Sequence, residues 1–474
     1  MVAPSTESEI SMTRPALSAL RAELADLTIY DDAPSLRMHS RDFFWFSPVL
    51  KPDLEGKQAE LVILPKTKDE VRRIASACAR HRVPLTVRGG GTGNYGQAVP
   101  LEGGVVLNLT RFNRVVSTTL GAGRFEAGAN MLDIDKALAP LGQELRMHPS
   151  TRAQATLGGF IAGGAAGAGS CTWGQIDNPG AVIAVEVMTV EPEPRLIELR
   201  GKDILKVMHA YGVNGIITEV EVPLAPAHAW AERIATFDTL RQAAAFGQAF
   251  TECDGIAKKL ISIHDPRIAP YLRRLAPWLG ESKAFAILMV SEPQGDELDR
   301  LIAEMGGTVT FSRGAAEARA AAFGEHREKG APGPLYEYTW NHTTLHALKV
   351  DPDITYLQLR FPPVRNLELL AWAETHFHED VLFHIEFQRR QGKVYHSSLP
   401  LVRFTTAARL HEIMAQAEEA GIQASNPHSW VLNNAGWKKV DAPQPEFKRI
   451  ADPQGLMNPG KLLNWQADAA QAAE

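Results

Sequence analysis

Two short apolar runs of strand length, residues 61 to 64 and 84 to 87, flank a stretch in which Val71, Ile74, Ala75 and Cys78 recur at helical spacing. Thr67 followed by Glu70 forms a capping box at the head of that stretch, which predicts strand, helix, strand with Cys78 in the core. A third strand is predicted over residues 105 to 109. From Phe125 onward, Met131, Ile134 and Leu138 define one face of a short amphipathic helix, capped by Asn130 with Asp133 in its first turn. Residues 181 to 190 and 215 to 222 read as strands, and Pro223 and Pro226 are expected to close the second. Ahead of this region a helix is predicted over residues 15 to 27, and Phe43, Phe44, Trp45 and Phe46 read as core, because aromatic rings bury large areas wherever they can.

Beyond about residue 226 the rhythm changes to two successive rounds of strand, helix, strand, strand, helix, strand. The first has helices near 239 to 253 and 295 to 305 and strands near 259 to 264 and 284 to 290. The second has strands over 355 to 361, 381 to 388 and 393 to 404, and helices over 365 to 377 and 405 to 420. Two such ferredoxin-like halves are expected to join into one continuous antiparallel sheet. Residues 314 to 333, with a charged run at 326 to 329, form a loop or helical connection between the halves. After Gly421 the chain is expected to return to its first domain, and the alanine-rich tail, 466 to 474, to fray.

A length of 474 residues allows two to four domains with ample core. Hydrophobic content of 45% without an apolar run of about 20 residues excludes a membrane span by a helix. A net charge of -6 supplies no basic surface for nucleic acid, so small-molecule chemistry is the expectation. Three cysteines, Cys78, Cys171 and Cys253, are an odd count without CxxC spacing, which argues against disulfides and structural zinc and for a reducing compartment. The first twenty residues lack an apolar signal region, and a cytoplasmic location is expected.

Five glycines in the ten residues RGGGTGNYGQ, 88 to 97, directly after a predicted strand, suit a tight turn of exposed backbone amides that cradles phosphate. The lysine and hydroxyl of a GxxxxGKS loop are missing, as is the GxGxxG spacing before a helix; a purely structural turn is the alternative. A second glycine-rich block, 158 to 169, leaves room for a ligand or for close packing of helix on sheet.

The run from Leu61 to Gln97 with GGVVLNLTRFNRV after it, the block HPSTRAQATLGGFIAGGAAGAGSCTWGQIDN, the strand HAYGVNGIITEVEV and the closing DPQGLMNPGKLL resemble, in this order, the flavin-binding domain of the vanillyl-alcohol oxidase and para-cresol methylhydroxylase superfamily. The resemblance implies an α+β fold, with a two-subdomain FAD-binding domain of the para-cresol methylhydroxylase type over residues 1–225, a duplicated ferredoxin-like cap over 226–425 and a return segment over 426–474. It implies FAD contacts from Pro65, Arg88, Gly89, Gly90, Gly91, Thr92, Gly93, Asn94, Gly96 and Gln97. From the later blocks it implies contacts from Pro149, Ser150, Thr156, Leu157, Gly158, Ala162, Gly163, Gly167, Gly215, Ile217, Asn458 and Lys461. Members that tether the flavin through histidine carry it directly after the first turn, where this chain has Thr92, and Cys171 lies well past the Gly158-Gly159 pair. Non-covalent FAD is therefore expected.

Strand parity selects candidate chemistry in the cap. In YLQLRF, Tyr356, Gln358 and Arg360 oppose Leu357, Leu359 and Phe361; in LFHIEFQ, His384, Glu386 and Gln388 oppose Phe383, Ile385 and Phe387. The apolar faces need helices, leaving the polar faces to solvent or to a cavity over the flavin. Arg360 is the natural fork for a substrate carboxylate, His384 the first choice as proton acceptor, and Glu386 its orienter or the base itself. An ordinary surface ion pair is the alternative. His384 and Glu386 could hold a metal with His396 or His428, but the glycine-aspartate-glycine histidine segment of metal-dependent flavin 2-hydroxyacid dehydrogenases is absent, so none is assigned. In YEYTWNHTT, Tyr338 and His342 are candidates, although a buried amphipathic strand would show the same letters; His428, Trp430 and Asn433 are candidates where the chain turns back.

The reading is an FAD-dependent oxidoreductase that oxidises an alcohol, a 2-hydroxyacid first and a phenolic alcohol second, by hydride transfer to flavin. A flavin-fold protein that binds without turnover, or a nicotinamide-dependent reductase, are rivals, and no second dinucleotide fingerprint is visible. The electron acceptor (oxygen, a quinone or a redox protein) and a homo-oligomeric state are left open.

Overall fold

Thr67 accepts the amide of Glu70 at 3.2 Å, and Glu70 reaches back to the amide of Lys66 at 2.6 Å, which fixes the start of the helix Lys68–His81. The computed structural model describes residues 14–325, 330–433, 440, 443–463 and 465. Val71, Ile74, Ala75 and Cys78 all face inward from this helix, as their spacing predicts. The helix joins Leu61–Ile63 to Leu85–Arg88 in a four-stranded sheet ordered Ile29–Tyr30, Leu61–Ile63, Val105–Asn108, Leu85–Arg88, parallel except for its first strand. The C-terminal segment returns to the last of these, as expected: the amide of Leu85 donates to Leu456 and the amide of Asn458 to Leu85, both at 2.8 Å.

A six-stranded sheet follows, in the order Val115–Thr119, Ala122–Glu126, Ile216–Pro226, Ala184–Met188 and Leu196–Arg200, with Gln143–Leu145 also on Ile216–Pro226. The central strand runs on through Pro223 and Pro226 instead of closing there. The amides beside the prolines carry the pairing past them, that of Leu224 donating to Gly121 and that of Ala227 to Gly142, both at 2.9 Å. Asn130 caps Met131–Leu138 as predicted. The leading helix is shorter than expected, Arg14–Glu23. Phe44 and Phe46 are buried in a 3-10 turn, with Phe43 and Trp45 half-buried beside them.

The cap is one antiparallel sheet of eight strands in the order Thr308–Arg313, Trp230–Phe237, Ala284–Ser291, Lys258–His264, His384–Arg390, Lys393–Ser398, Gln358–Phe361, Gln423–Ser425. Each half shows the ferredoxin-like order, and the halves meet where Lys258–His264 pairs with His384–Arg390. Each of the three long strands predicted in the second half is broken once. Their first or last parts, Ile354–Tyr356, Val381–Leu382 and Leu401–Arg403, form a separate three-stranded sheet. The connection between the halves contributes the helix Ala315–Phe323; the charged run 326 to 329 and the tail 466 to 474 lie outside the described residues. YEYTWNHTT is not a strand: it forms a 3-10 turn, Leu335–Tyr338, and the start of the helix Asn341–Leu348. No helix among the described residues is long and apolar enough to cross a membrane.

Candidate active site

The two glycine blocks pack against each other and wall one end of a cavity of about 550 Å³. A Cβ on Gly90 would lie 2.1 Å from the carbonyl oxygen of Gln154, and one on Gly89 would lie 2.0 Å from Oγ1 of Thr156, so both glycines are required by close approach of the blocks. On Gly163 a Cβ would meet nothing within 4 Å, leaving that backbone open to the cavity. Arg88, Gly89, Gly90, Gly91, Thr92, Gly93, Asn94 and Gln97 line this wall, as do Pro149, Ser150, Thr156, Gly158, Ala162, Gly163, Gly215 and Ile217.

Five of the residues expected to touch FAD lie elsewhere, and a sixth, Gly96, acts through its carbonyl. Pro65 is buried behind the strand that precedes it, and Leu157 packs in the core. Gly167 serves packing, since a Cβ there would lie 2.0 Å from the His148 carbonyl oxygen. Asn458 and Lys461 hold the loop from behind. Asn458 donates to the carbonyls of Gln97 at 2.8 Å and Tyr211 at 2.6 Å. Lys461 donates to the carbonyls of Gly96 at 2.6 Å and of Gln97 and Val99 at 2.7 Å. Asp42, invisible to motif reading, accepts the amides of Phe44 and Ala98 on the other side of the same turn.

The opposite wall comes from the polar face of the cap sheet: Gln358, Arg360, Gln388, Arg390 and Ser397. Leu359, Phe361, Ile385 and Phe387 turn the other way into the core, as parity requires. Gln388 is fixed by Ser397, which donates to it at 2.8 Å, and by Gln175. Arg390 donates to Gln175 at 2.9 Å and to Asp177 at 2.8 Å. Burial lowers the pKa of Arg360 to about 10, and the positive charge of Arg390 adds to that; Asp177 opposes both. Two guanidinium groups on one cavity wall therefore favour an anion there.

His384 and Glu386 share this sheet face but do not reach the cavity. They are sealed beneath the turn that carries Tyr338 and Trp340, with 0% and 1% of their surface exposed. One Glu386 oxygen accepts from the Trp340 amide at 2.8 Å and from Ser262 at 2.9 Å, and faces His384 Nε2 at 2.8 Å. His264 stacks on His384 with ring centroids 4.5 Å apart. His384 is thus a buried member of a hydrogen-bond cluster, out of reach of a ligand in the cavity. His396 belongs to the other face of the sheet, against Phe387 and Gln248, and shares no ligand sphere with it.

Tyr338 is buried against His346 and accepts the amide of Gly333 at 3.3 Å, and neither it nor His342 lines the cavity. His428 accepts from Ser47 at 2.7 Å and donates to the Tyr356 carbonyl at 2.9 Å, while burial lowers its pKa to about 4; both ring nitrogens serve structure. Asn433 accepts the amide of Leu463 at 2.8 Å in the return segment, where Trp430 is also half-buried.

Further residues complete the cavity: Tyr95, Gln175, Asp177, His209, Tyr211 and Arg390, with Trp340 and Asn341 from the YEYTWNHTT stretch. Arg390 has the parity of Gln388 and could have been found by carrying the strand two residues further. Trp340 sits at φ 53° and ψ -142°, a region that costs a residue with a side chain about 1–3 kcal/mol. Nδ2 of Asn94, the hydroxyl of Tyr211 and Nε1 of Trp340 are buried with no hydrogen-bond partner among the described residues. A wall of backbone without side chains, facing unsatisfied donors, fits a large polar cofactor such as FAD.

Residues 59–196 match the family model described as an FAD binding domain. The glycolate oxidase subunit GlcD of Escherichia coli (strain K12) is 33% identical over 193 residues, 39% of this chain and 38% of that one. The D-lactate dehydrogenase of Archaeoglobus fulgidus is 29% identical over 176 residues, 35% of this chain and 39% of that one. The chain thus spans about two-fifths of the length of the curated relatives it matches. Among solved structures, an alkyldihydroxyacetonephosphate synthase is similar with a TM-score of 0.68 at 18% identity, over 97% of this chain and 87% of that chain. Residues 59–196 thus form an FAD binding domain, and the chain shares its overall fold with the alkyldihydroxyacetonephosphate synthase.

Proposed function

We propose that this chain is an FAD-dependent oxidoreductase that oxidises the alcohol carbon of a small 2-hydroxyacid. The observation that carries the reading is the placement of Arg360 and Arg390 on one wall of the cavity whose other wall is made by the glycine blocks. FAD supplies the hydride acceptor when bound. Arg360 presents a planar fork that matches a carboxylate, and Arg390, braced by Asp177, adds charge beside it. Gln388, locked by Gln175 and Ser397, offers its amide group to the same ligand. The likeness to glycolate oxidase and D-lactate dehydrogenase supports the same substrate class. Tyr95, Tyr211 and Trp340 in the lining favour phenolic alcohols as the second reading. Residues 1–225 form the FAD-binding domain in this reading, 226–425 the substrate cap and 426–474 the segment that braces the phosphate loop.

Anaerobic titration of the FAD-loaded protein with 2-hydroxyacids and with aromatic alcohols separates the readings. Bleaching of the flavin band by the first group is expected; bleaching by the aromatic alcohols alone transfers the assignment to them. Arg360→Lys keeps the charge but loses the fork, and is expected to raise KM for the carboxylate substrate about 10-fold or more, in line with a charge-assisted hydrogen bond. An unchanged KM would remove Arg360 from the carboxylate site.

FAD is held without a covalent bond in this reading. Thr92 cannot form a histidyl tether, and Cys171 is buried away from the cavity, where desolvation raises its thiol pKa to about 11 and suppresses the nucleophilic thiolate. Acid precipitation is expected to release yellow FAD into the supernatant, whereas flavin retained in the pellet would show a tether.

A further inference from the structure

We propose that Trp340 binds the substrate carboxylate through its indole N–H, and that Glu386 is the positioning residue that holds it in place. The inference rests on the 2-hydroxyacid reading of the cavity. Three observations converge on Trp340.

Its backbone occupies φ 53°, ψ -142°, a conformation that is essentially reserved for glycine and persists only where the surroundings over-determine it. Its side chain is 8% exposed and lines the cavity, yet Nε1 has no acceptor among the described residues. An indole N–H only donates, and when buried it normally has a partner, so the acceptor it lacks belongs to the ligand. Its amide is held by Glu386 at 2.8 Å, and Ser262 and His384 hold Glu386 in turn.

The clamp ties Trp340 to the strand His384–Arg390, which carries Gln388 and Arg390 to the cavity wall. Glu386 lies opposite Ser397 and Ser397 opposite Arg360, so the clamp and the arginine are two strands apart, about 10 Å. Long side chains reaching inward from both can meet one small ligand across that gap. Of the oxygens of a 2-hydroxyacid, the carboxylate is the one Arg360 and Arg390 draw to this wall, and its lone pairs can accept the indole N–H as well. The buried His384–Glu386 pair thus acts on substrate through Trp340, not by proton transfer.

The test is the dissociation constant of oxalate, a non-oxidisable carboxylate, read from its perturbation of the flavin band in FAD-loaded protein. Trp340→Phe keeps the ring and removes the donor; it should weaken oxalate about tenfold with parental FAD content. Glu386→Gln should weaken it in the same direction, and the double variant should bind no worse than Trp340→Phe alone, because Glu386 works through the indole. Should Trp340→Phe not accumulate, Glu386→Gln carries the test. Parental oxalate affinity in Trp340→Phe, or additive losses in the double variant, overturns the inference; if Arg360→Lys still weakens oxalate, the 2-hydroxyacid reading survives that outcome. If oxalate leaves the flavin band of the parental protein unmoved and no 2-hydroxyacid bleaches it, both fall.

Discussion

Gly91→Val is expected to yield protein without flavin, while Cys253→Ser carries the parental complement. Gly91 sits at φ 66°, a left-handed conformation that costs a residue with a Cβ about 1–2 kcal/mol and that β-branched side chains adopt least readily. The new Cβ would also lie 2.0 Å from Nη2 of Arg88. That guanidinium cannot simply swing aside, since it is held by the carbonyls of Arg41 and, at 3.3 Å, His39. The turn must therefore open, and with it the wall formed by Gly89 to Asn94. Cys253 lies at the end of the helix Leu240–Glu252 in the cap, outside the cavity lining, where serine replaces the thiol at little cost. Flavin absorbance per mole of purified protein decides the matter; equal content in both variants would detach the glycine turn from cofactor binding. Gly90→Ala, with its Cβ 2.1 Å from a main-chain oxygen, should fail in the same way.

These two glycines also show why the cofactor half of the site was legible in sequence and much of the substrate half was not. A glycine run after a strand marks backbone that must approach something closely, whatever that neighbour is, and the neighbour proved to be both the second glycine block and the cavity. Strand parity was equally readable, because a two-residue period needs no knowledge of distant chain: it placed Gln358, Arg360 and Gln388 on the correct face. Parity cannot say what covers that face. Half of it is sealed by the turn Leu335–Tyr338 and by Trp340, which come from a different stretch of chain, and this is why His384 and Glu386 lie buried beneath the cavity wall instead of opening onto it. The breaks at Leu357 and Phe383 were hidden for a similar reason. Leu357 continues the apolar parity of Leu359 and Phe361, and Phe383 that of Ile385 and Phe387, so the alternation runs through these two breaks without interruption. Asp42, Gln175 and Asp177 have no local signature, and only the folded chain brings them to Ala98, Gln388 and Arg390.

Lys461→Met is expected to lower stability by about 3–5 kcal/mol, the usual consequence of removing one member of a buried set of charges and hydrogen bonds. Lys461 is fully buried, and its ammonium donates to three main-chain carbonyls of the turn that carries Gln97 into the cavity. Asp42 sits across the same turn, accepting two amides at 3.0 and 3.1 Å. Burial lowers the lysine pKa to about 7 and raises that of the aspartate, and each is partly restored by the other's charge. Methionine fills a similar volume but leaves the three carbonyls without donors and Asp42 with less opposing charge. The urea midpoint of the FAD-loaded protein should fall, and FAD should dissociate more readily, because the loop and the cofactor wall are the same residues. Asp42→Asn keeps an acceptor for one amide and should cost less. If the two groups hold the turn together, the double variant Asp42→Asn/Lys461→Met should lose less than the sum of the single losses. Strictly additive losses would mean that lysine and aspartate act on the turn independently, and an unchanged midpoint in Lys461→Met would mean that the closing segment does not brace the phosphate loop.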